Sequence, residues 1–248
     1  MLPRFFCAEQ IFIDHIIELP ENIRHHATHV LRLKQGDAMT LFDGNGGEFL
    51  AQILQISKSN TTVKINKHID IECESPLVIE LAQAICANEK MDWIIQKSVE
   101  LGASRIHPIL TNRCVVRLSH ERALKRLLHW QQIAIAACEQ CGRNRIPEVL
   151  PLASLPDWLA GMKAHESSQN TYFMLSPTAT KYLRDFSKPS INHLLTILIG
   201  PEGGLTKDEE TIASLAGFVP LCLGKRILRT ESAALASIAA MQTLWGDY

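Results

Sequence analysis

Two segments combine glycines with charged or hydroxylic side chains at a spacing that suits a small-molecule site. The first is Ile199-Gly200-Pro201-Glu202-Gly203-Gly204-Leu205, which follows an apolar run and leads into Thr206-Lys207-Asp208-Glu209. Its glycines let the backbone approach a bound group closely and present N–H and C=O groups to it. The segment has neither the Gly-Lys-Ser/Thr of a nucleoside-triphosphate loop nor the Gly-x-Gly-x-x-Gly of a dinucleotide fold. The second is Leu221-Cys222-Leu223-Gly224-Lys225-Arg226-Ile227-Leu228-Arg229-Thr230-Glu231-Ser232-Ala233. Apolar Ile227 and Leu228 between charged neighbours suit the flanks of a flat heterocycle. Cys138-Glu139-Gln140-Cys141 offers one Cys-x-x-Cys pair, too few ligands for a structural zinc, which takes four. It falls late in a predicted helix rather than at a redox turn, so both cysteines read as packing residues. His25, His26 and His29 lack carboxylate or thiol partners at metal spacing and read as surface residues, and no metal site is expected.

The surrounding pattern says which elements must hold these loops. Short alternating runs at 39–42, 49–53 and 62–65 read as antiparallel strands, with Asp43-Gly44-Asn45-Gly46-Gly47 as a hairpin turn. A helix carrying His25, Thr28, His29 and Arg32 interrupts them before Gly36. Beyond Glu72-Cys73-Glu74-Ser75-Pro76 the texture changes to alternating strands and helices. Strands are predicted over 78–85, 105–110, 172–175, 194–199 and 218–223. Helices are predicted from Asn88 (as cap) to Gly102, from Ser119 to about Gln140, and from near Pro156, Thr206 and Ser232. Thr206 with Glu209 has the spacing of a capping box. This order implies a mostly parallel sheet covered on both faces, and ligands in such sheets bind at the carboxyl ends of the strands. The predicted boundary divides residues 1–72, a small antiparallel barrel, from 73–248, an α/β domain.

The chain has 248 residues, 46% hydrophobic and 21% charged, which excludes disordered, collagen-like and coiled-coil classes. No apolar run reaches the ~18 residues of a membrane span. With no signal-peptide pattern and seven cysteines, the expectation is a soluble cytoplasmic protein with reduced thiols. Formal charge is 25 − 26 = −1, which taken alone speaks against a nucleic-acid partner. Between Arg105 and Arg145, however, eight basic side chains face only Glu121 and Glu139, so that segment is +6 and the remainder −7. Arg122, Lys125, Arg126 and His129 follow at i, i+3, i+4 and i+7, one stripe of a helix that can contact phosphates. Residues 1–72 hold seven basic and nine acidic side chains, so RNA contact there rests on local groups such as Arg4, Arg24, Arg32 and Lys34.

At these motifs the chain resembles the RsmE family, SPOUT-class (α/β-knot) methyltransferases of the small ribosomal subunit. The resemblance rests on Ile-Gly-Pro-Glu-Gly-Gly-Leu at 199–205 and Leu-Gly-x-x-Ile-Leu-Arg-x-Glu-Ser-Ala at 223–233. It continues through Arg4-Phe5-Phe6, His29-x-x-Arg32, Gly36-Asp37, Lys90, Lys97, Glu100-Leu101-Gly102, Thr111, Arg113 and Glu139-Gln140-x-Gly142-Arg143. It therefore spans essentially the whole chain. It implies a PUA-like N-terminal antiparallel β-barrel and a C-terminal α/β domain with a deep trefoil knot. It implies homodimers, and transfer of a methyl group from S-adenosylmethionine to N3 of one uridine, the uridine 1498 site, in 16S rRNA of the small ribosomal subunit. Carried over residue by residue, the cofactor is expected at Leu175, at Ile199, Gly200, Pro201, Glu202, Gly203 and Gly204, and at Leu223, Gly224, Ile227, Leu228, Thr230 and Ala233.

The uracil N3–H is weakly acidic, so its alkylation needs a base or cationic donors that stabilise the uracilate. Arg143 and Arg229 are the candidate donors, and Glu139 or Glu231 the candidate base or orienting carboxylate. The candidate RNA-binding residues are Arg4, Arg24, Arg32, Lys34, Arg113, Arg122, Lys125 and Arg126. Two other functions share these features: ribose 2′-O-methylation of another RNA, and a non-catalytic ribosome-assembly factor. Reversing the charges of Arg122 and Arg126 is expected to weaken RNA binding and to flatten its dependence on salt. The log–log slope should fall by about one unit for each phosphate that is no longer neutralised, as read by titration at several salt concentrations.

Overall fold

In the computed structural model, which describes residues 2–163, 170–190 and 193–248, the chain divides into two units. The first comprises Met1–Glu74 together with Cys138–Ile146, and the second Ser75–Ala137 with Pro147–Tyr248.

The first unit is built on strands β1 (Arg4–Phe6), β2 (Ile16–Glu18), β3 (Ala38–Phe42), β4 (Glu48–Ile56) and β5 (Thr61–Ile69), in the order β1-β3-β4-β5-β2. The predicted glycine hairpin joins β3 to β4, with Leu41 opposite Phe49. Gly44, Gly46 and Gly47 all adopt positive φ there. The sheet is mixed rather than wholly antiparallel, since β1 pairs with β3 in parallel, Phe5 beside Leu41. A tight turn cannot join a parallel pair; here the connection contains β2, helix α1 (Glu21–His25) and the π-turn His26–Val30. Alternate side chains, among them Phe5, Met39, Leu41, Ile53, Val63 and Ile65, meet Ile23 and Ala27 in one buried cluster.

The segment Cys138–Ile146, which a split at a single position leaves out of this unit, is tied to it by side chains. The Arg143 guanidinium donates from Nε (3.0 Å) and Nη2 (2.5 Å) to the two carboxylate oxygens of Glu74. Asn144 donates to the Ile71 carbonyl (2.7 Å) and accepts from Arg4 Nη2 (2.8 Å). Glu139 accepts from the Phe6 N–H at 3.0 Å.

The second unit contains β6 (Val78–Ala84), α2 (Asn88–Glu100), β7 (Ala103–Leu110), α3 (His120–Cys141, whose last turn belongs to the first unit), β8 (Glu148–Val149), β9 (Ala153–Ser154) and α4 (Leu155–Lys163). These are followed by β10 (Asn170–Leu175), β11 (Leu194–Ile199), α5 (Lys207–Leu215), β12 (Val219–Leu221) and α6 (Thr230–Trp245). Helix α2 starts at Asn88, with Ala87 rather than Asn88 at the cap. Gly102 ends it at φ +89°. The sheet runs β12-β10-β11-β6-β7-β8, with β9 also on β7, and every pairing is parallel. Period-2 alternation sends neighbouring residues to opposite faces. Ala82, Met174 and Leu198 pack with Trp158, Leu159 and Ala213 of α4 and α5. Helix α6 lies against α2, β6 and β11, with the Phe173 ring near Trp245. No helix among the described residues is long and apolar enough to cross a membrane.

Arg143 is buried and Glu74 partly so, which fixes the expected effect of breaking their pair. Arg143→Ala leaves the carboxylate without its partner and should cost about 3 kcal/mol, read as a lowered unfolding midpoint. An apolar pair of similar volume at both positions should recover most of that loss.

Candidate functional site

Because β10, β11 and β12 are parallel neighbours, their carboxyl ends lie side by side, and the loops that leave them enclose a cavity of about 490 Å³. The β10 end contributes Leu175, Ser176 and Pro177; the β11 end, residues 199–205; the β12 end, Leu221 to Gly224 and then Arg226 to Thr230. Ala233 of α6, Lys90 of α2, and Arg113 and Glu210 complete the wall. All thirteen residues expected at a cofactor therefore line one cavity.

The geometry of the glycine-rich loop follows from its capping. Thr206 accepts from the Glu209 N–H (3.2 Å) while Glu209 Oε2 accepts from the Thr206 N–H (2.8 Å), so the predicted capping box is formed. A side chain at Gly200 would stand 3.0 Å from the Leu205 nitrogen, and Gly204 holds φ +68°, so the turn tolerates neither position's replacement without strain. Thr230 locks the other end: its hydroxyl donates to the Gly200 carbonyl at 2.7 Å and accepts from Gln83 Nε2 at 3.0 Å.

Charge concentrates at the wall. Lys90 Nζ lies 3.2 Å from Glu202 and 3.5 Å from Glu231, bridging the two loops. Burial raises the Glu202 carboxyl, but hydrogen bonds from backbone N–H groups and the Lys90 ammonium outweigh it and hold the group below the usual carboxylate range. The hydrogen bond to Glu202 raises Lys90 in turn. Burial, then the charges of Glu202 and Glu231, push the thiol of nearby Cys86 up to about 12, so it is inert near neutrality. Arg229 is exposed at the wall and its side chain makes no hydrogen bond or ion pair among the described residues.

The candidate catalytic groups separate. Arg229 lines the cavity and Glu231 joins its Lys90 bridge, whereas Arg143 and Glu139 lie in the first unit and line no part of it. Arg143 is 4% exposed and clasped by Glu74, and burial raises the carboxyl of Glu139 beside the Phe6 N–H. Among the expected RNA-binding residues, Arg4 is also committed elsewhere. It pairs with Glu48, donates to Asn144 and lies 4.9 Å from the centre of the Phe42 ring. Arg113 donates to loop carbonyls of the cavity. Arg24 donates to the Lys58 carbonyl at 3.2 Å, while Arg32 and Lys34 are exposed. On α3, Lys125 pairs with Glu121 and His129 with Asp92, which leaves Arg122 and Arg126 as the cations of the stripe without an ion pair among the described residues. Cys138, buried and raised to about 12, points its thiol at the Arg145 carbonyl 3.6 Å away. Among the described residues no cluster of three metal-ligating side chains forms.

Sequence reasoning assigned no part in the site to Lys90 or Gln83. The signal for Gln83 lay in the pattern itself, because a strand buried along most of its length, Val-Ile-Glu-Leu-Ala-Gln-Ala, carries a polar residue mostly where it has a partner, as Gln83 Nε2 does in Thr230.

Strand-end glycine loops over a parallel sheet, following a small β-rich unit, define the class: an RNA methyltransferase domain model matches residues 73–242, and an RNA methyltransferase PUA domain model matches 19–66. The chain belongs to the ribosomal RNA small subunit methyltransferase E family. It is 35% identical over 246 residues to the family member from Buchnera aphidicola of Schizaphis graminum, covering 99% of this chain and 98% of that one. The Bacillus subtilis member is 31% identical, covering 88% and 86%. The crystal structure of the Neisseria gonorrhoeae enzyme bound to S-adenosylmethionine superposes with TM-score 0.92 at 43% identity over all of both chains.

The Lys90 bridge makes a pH-dependent prediction. A carboxyl held low contributes stability at neutral pH that disappears as pH falls through its folded-state value. Lys90→Met should therefore melt below the wild type at neutral pH, and the gap should close as pH drops through the lowered Glu202 range, as followed by melting temperatures across a pH series.

Proposed function

We propose that this protein uses S-adenosylmethionine to methylate N3 of a specific uridine, the uridine 1498 site, in 16S rRNA of the small ribosomal subunit. The observation that carries the reading is the single cavity formed by loops 199–205 and 221–230 at parallel strand ends. Its volume of about 490 Å³ falls within the roughly 300–1,000 Å³ of small-molecule sites. The residues fit the cofactor by type: Leu175, Leu223, Ile227 and Leu228 offer apolar surface to an adenine ring, and the glycine-bearing turns offer backbone donors and acceptors to its polar edges. S-adenosylmethionine supplies, when bound, an electrophilic methyl group on a sulfonium.

The chain's own residues supply positioning and charge. Arg229, unpaired at the cavity wall among the described residues, donates to the uracil oxygens and stabilises the negative charge that develops when the N3 proton leaves. Glu231, oriented by Lys90, receives that proton or orients Arg229. Arg143 and Glu139 act at a distance, by holding the segment Cys138–Ile146 through Glu74 and Phe6. RNA phosphates meet Arg122, Arg126 and Lys125 of α3, with Arg24, Arg32 and Lys34 as local groups of the first unit.

The same reading includes a homodimer, a knotted C-terminal domain, closure of the N-terminal sheet into a barrel, and action in the cytoplasm, where small subunits are assembled. Exposed apolar Ile227 and Leu244 support the covering of part of this surface by a further chain. The tie of Thr230 to both Gly200 and Gln83 supports a C-terminal segment threaded close to the ends of β6 and β11. Irregular register between β4 and β5 at Leu50/Ala51 and Ile53/Gln55 supports the curvature that closure needs.

Incubation with labelled S-adenosylmethionine and small subunits lacking the modification, followed by mapping of the product, tests the reading. The expected product carries the label on the uracil base at N3. Label on a ribose would assign a 2′-O activity instead, and no transfer would assign an assembly factor. In the same assay Arg229→Ala should lower kcat about a hundredfold.

A further inference from the structure

We propose that Arg113 is a positioning residue for the glycine-rich loop, shaping the cofactor cavity through two carbonyl groups, and is not a phosphate ligand. The inference rests on the cofactor reading above and assigns it one more residue. Arg113 follows the end of β7 by three positions, and its Nη1 donates to the Gly203 carbonyl at 2.8 Å and the Leu205 carbonyl at 3.2 Å. One guanidinium nitrogen thus spans the residue that holds the turn's positive φ, Gly204 at +68°. Glycine has the largest backbone freedom to lose on ordering, so a turn with Gly203 and Gly204 in succession needs external ties to keep one shape. It has them on both sides. Asn112, next to Arg113, donates its N–H to Glu209 at 2.6 Å, the residue that caps α5, and Thr230 holds Gly200.

The glycine at 203 carries the second, independent observation. Its φ is not in the left-handed region, so the backbone does not demand glycine there. What favours it is Arg113: a β-carbon on residue 203 would stand 3.3 Å from Arg113 Cβ and 3.4 Å from its Cδ, so the arginine stem would have to give by a few tenths of an ångström. The missing side chain is the space through which the arginine stem reaches the carbonyls. Both observations make Arg113 and Gly203 one device, with Nη1 held by the two carbonyls.

The test uses the full chain with Arg113→Ala, Arg113→Lys, Gly203→Ala and the Arg113→Ala/Gly203→Ala pair. Three quantities are measured: amide hydrogen exchange of residues 203–205 without ligand, S-adenosylmethionine affinity by calorimetry, and RNA affinity at several salt concentrations. Arg113→Ala should speed exchange in the loop and weaken cofactor binding about tenfold, the scale of two carbonyl hydrogen bonds, with RNA affinity and its salt slope unchanged. Lysine should restore part of the affinity. Gly203→Ala should weaken cofactor binding while the whole Arg113 side chain is present and add less once it is cut back to alanine, because the contact with Cδ is then gone and only that with Cβ remains. Unchanged loop exchange in Arg113→Ala, additive losses in the pair, or a reduced RNA salt slope with intact cofactor binding would each overturn the proposal. A wild-type chain that binds no S-adenosylmethionine while Arg113→Ala still loosens the loop would overturn the cofactor reading and leave the positioning role standing.

Discussion

The hydroxyl of Thr230 is the joint on which the cavity depends. It is 6% exposed, donates to the Gly200 carbonyl just past the end of β11 and accepts from Gln83 in β6. Three pieces of chain far apart in sequence, 83, 200 and 230, are thereby fixed at one point. Without it, two glycine-bearing loops would be set by the pairing of their strands and, among the described residues, by the Lys90 bridge. A surface ion pair is a weak constraint because water competes for both charges, whereas a buried hydroxyl that both donates and accepts has no comparable alternative. The register that sets Ile199 beside Gln83 is what brings the three groups within reach.

Around that joint the electrostatics are local and nearly balanced. Lys90 stands between Glu202 and Glu231, so two carboxylates near a site proposed for a cationic cofactor are partly neutralised before anything binds. The same two carboxylates help keep Cys86 protonated, which removes a competing nucleophile from the neighbourhood of an alkylating group. Arg229 is a cation on the same wall that no described side chain engages. Lys90 and Arg229, equal in formal charge, differ in their partners: Lys90 has two carboxylates and Arg229 none among the described residues.

Legibility in the sequence followed the range of the interactions. The capping box of Thr206 and Glu209, the turn glycines between β3 and β4, and the stop at Gly102 are all read within a few residues, and they formed as expected. Strand β1 has three residues and a parallel partner 36 positions later, with Arg4 beside Thr40, so no local pattern marks it. The arginines show the limit most clearly. Arg4 and Arg143 look like free cations in a charge count, yet their carboxylates, Glu48 and Glu74, come from 44 and 69 residues away. Arg113 was legible as part of a motif but not as a clamp, since its acceptors are main-chain carbonyls that every residue possesses.

The same reasoning refines the charge argument for RNA. The +6 of residues 105–145 included Arg113 and Arg143, both of which the fold engages internally, and Arg105, which pairs with Glu80 and Glu148. What is left to a polyanion is narrower than the count implied: Arg122, Arg126 and the exposed Lys125 on α3, with Arg117 before it, while Arg145 pairs with Glu72. In the proposed reading, a patch of that size would hold a phosphate backbone at a few points, and few neutralised phosphates mean a shallow salt dependence. Under the proposed function, selectivity for one nucleotide would come from the shape of the cavity and the groups on its wall rather than from bulk attraction, so a net charge of −1 is no obstacle to it.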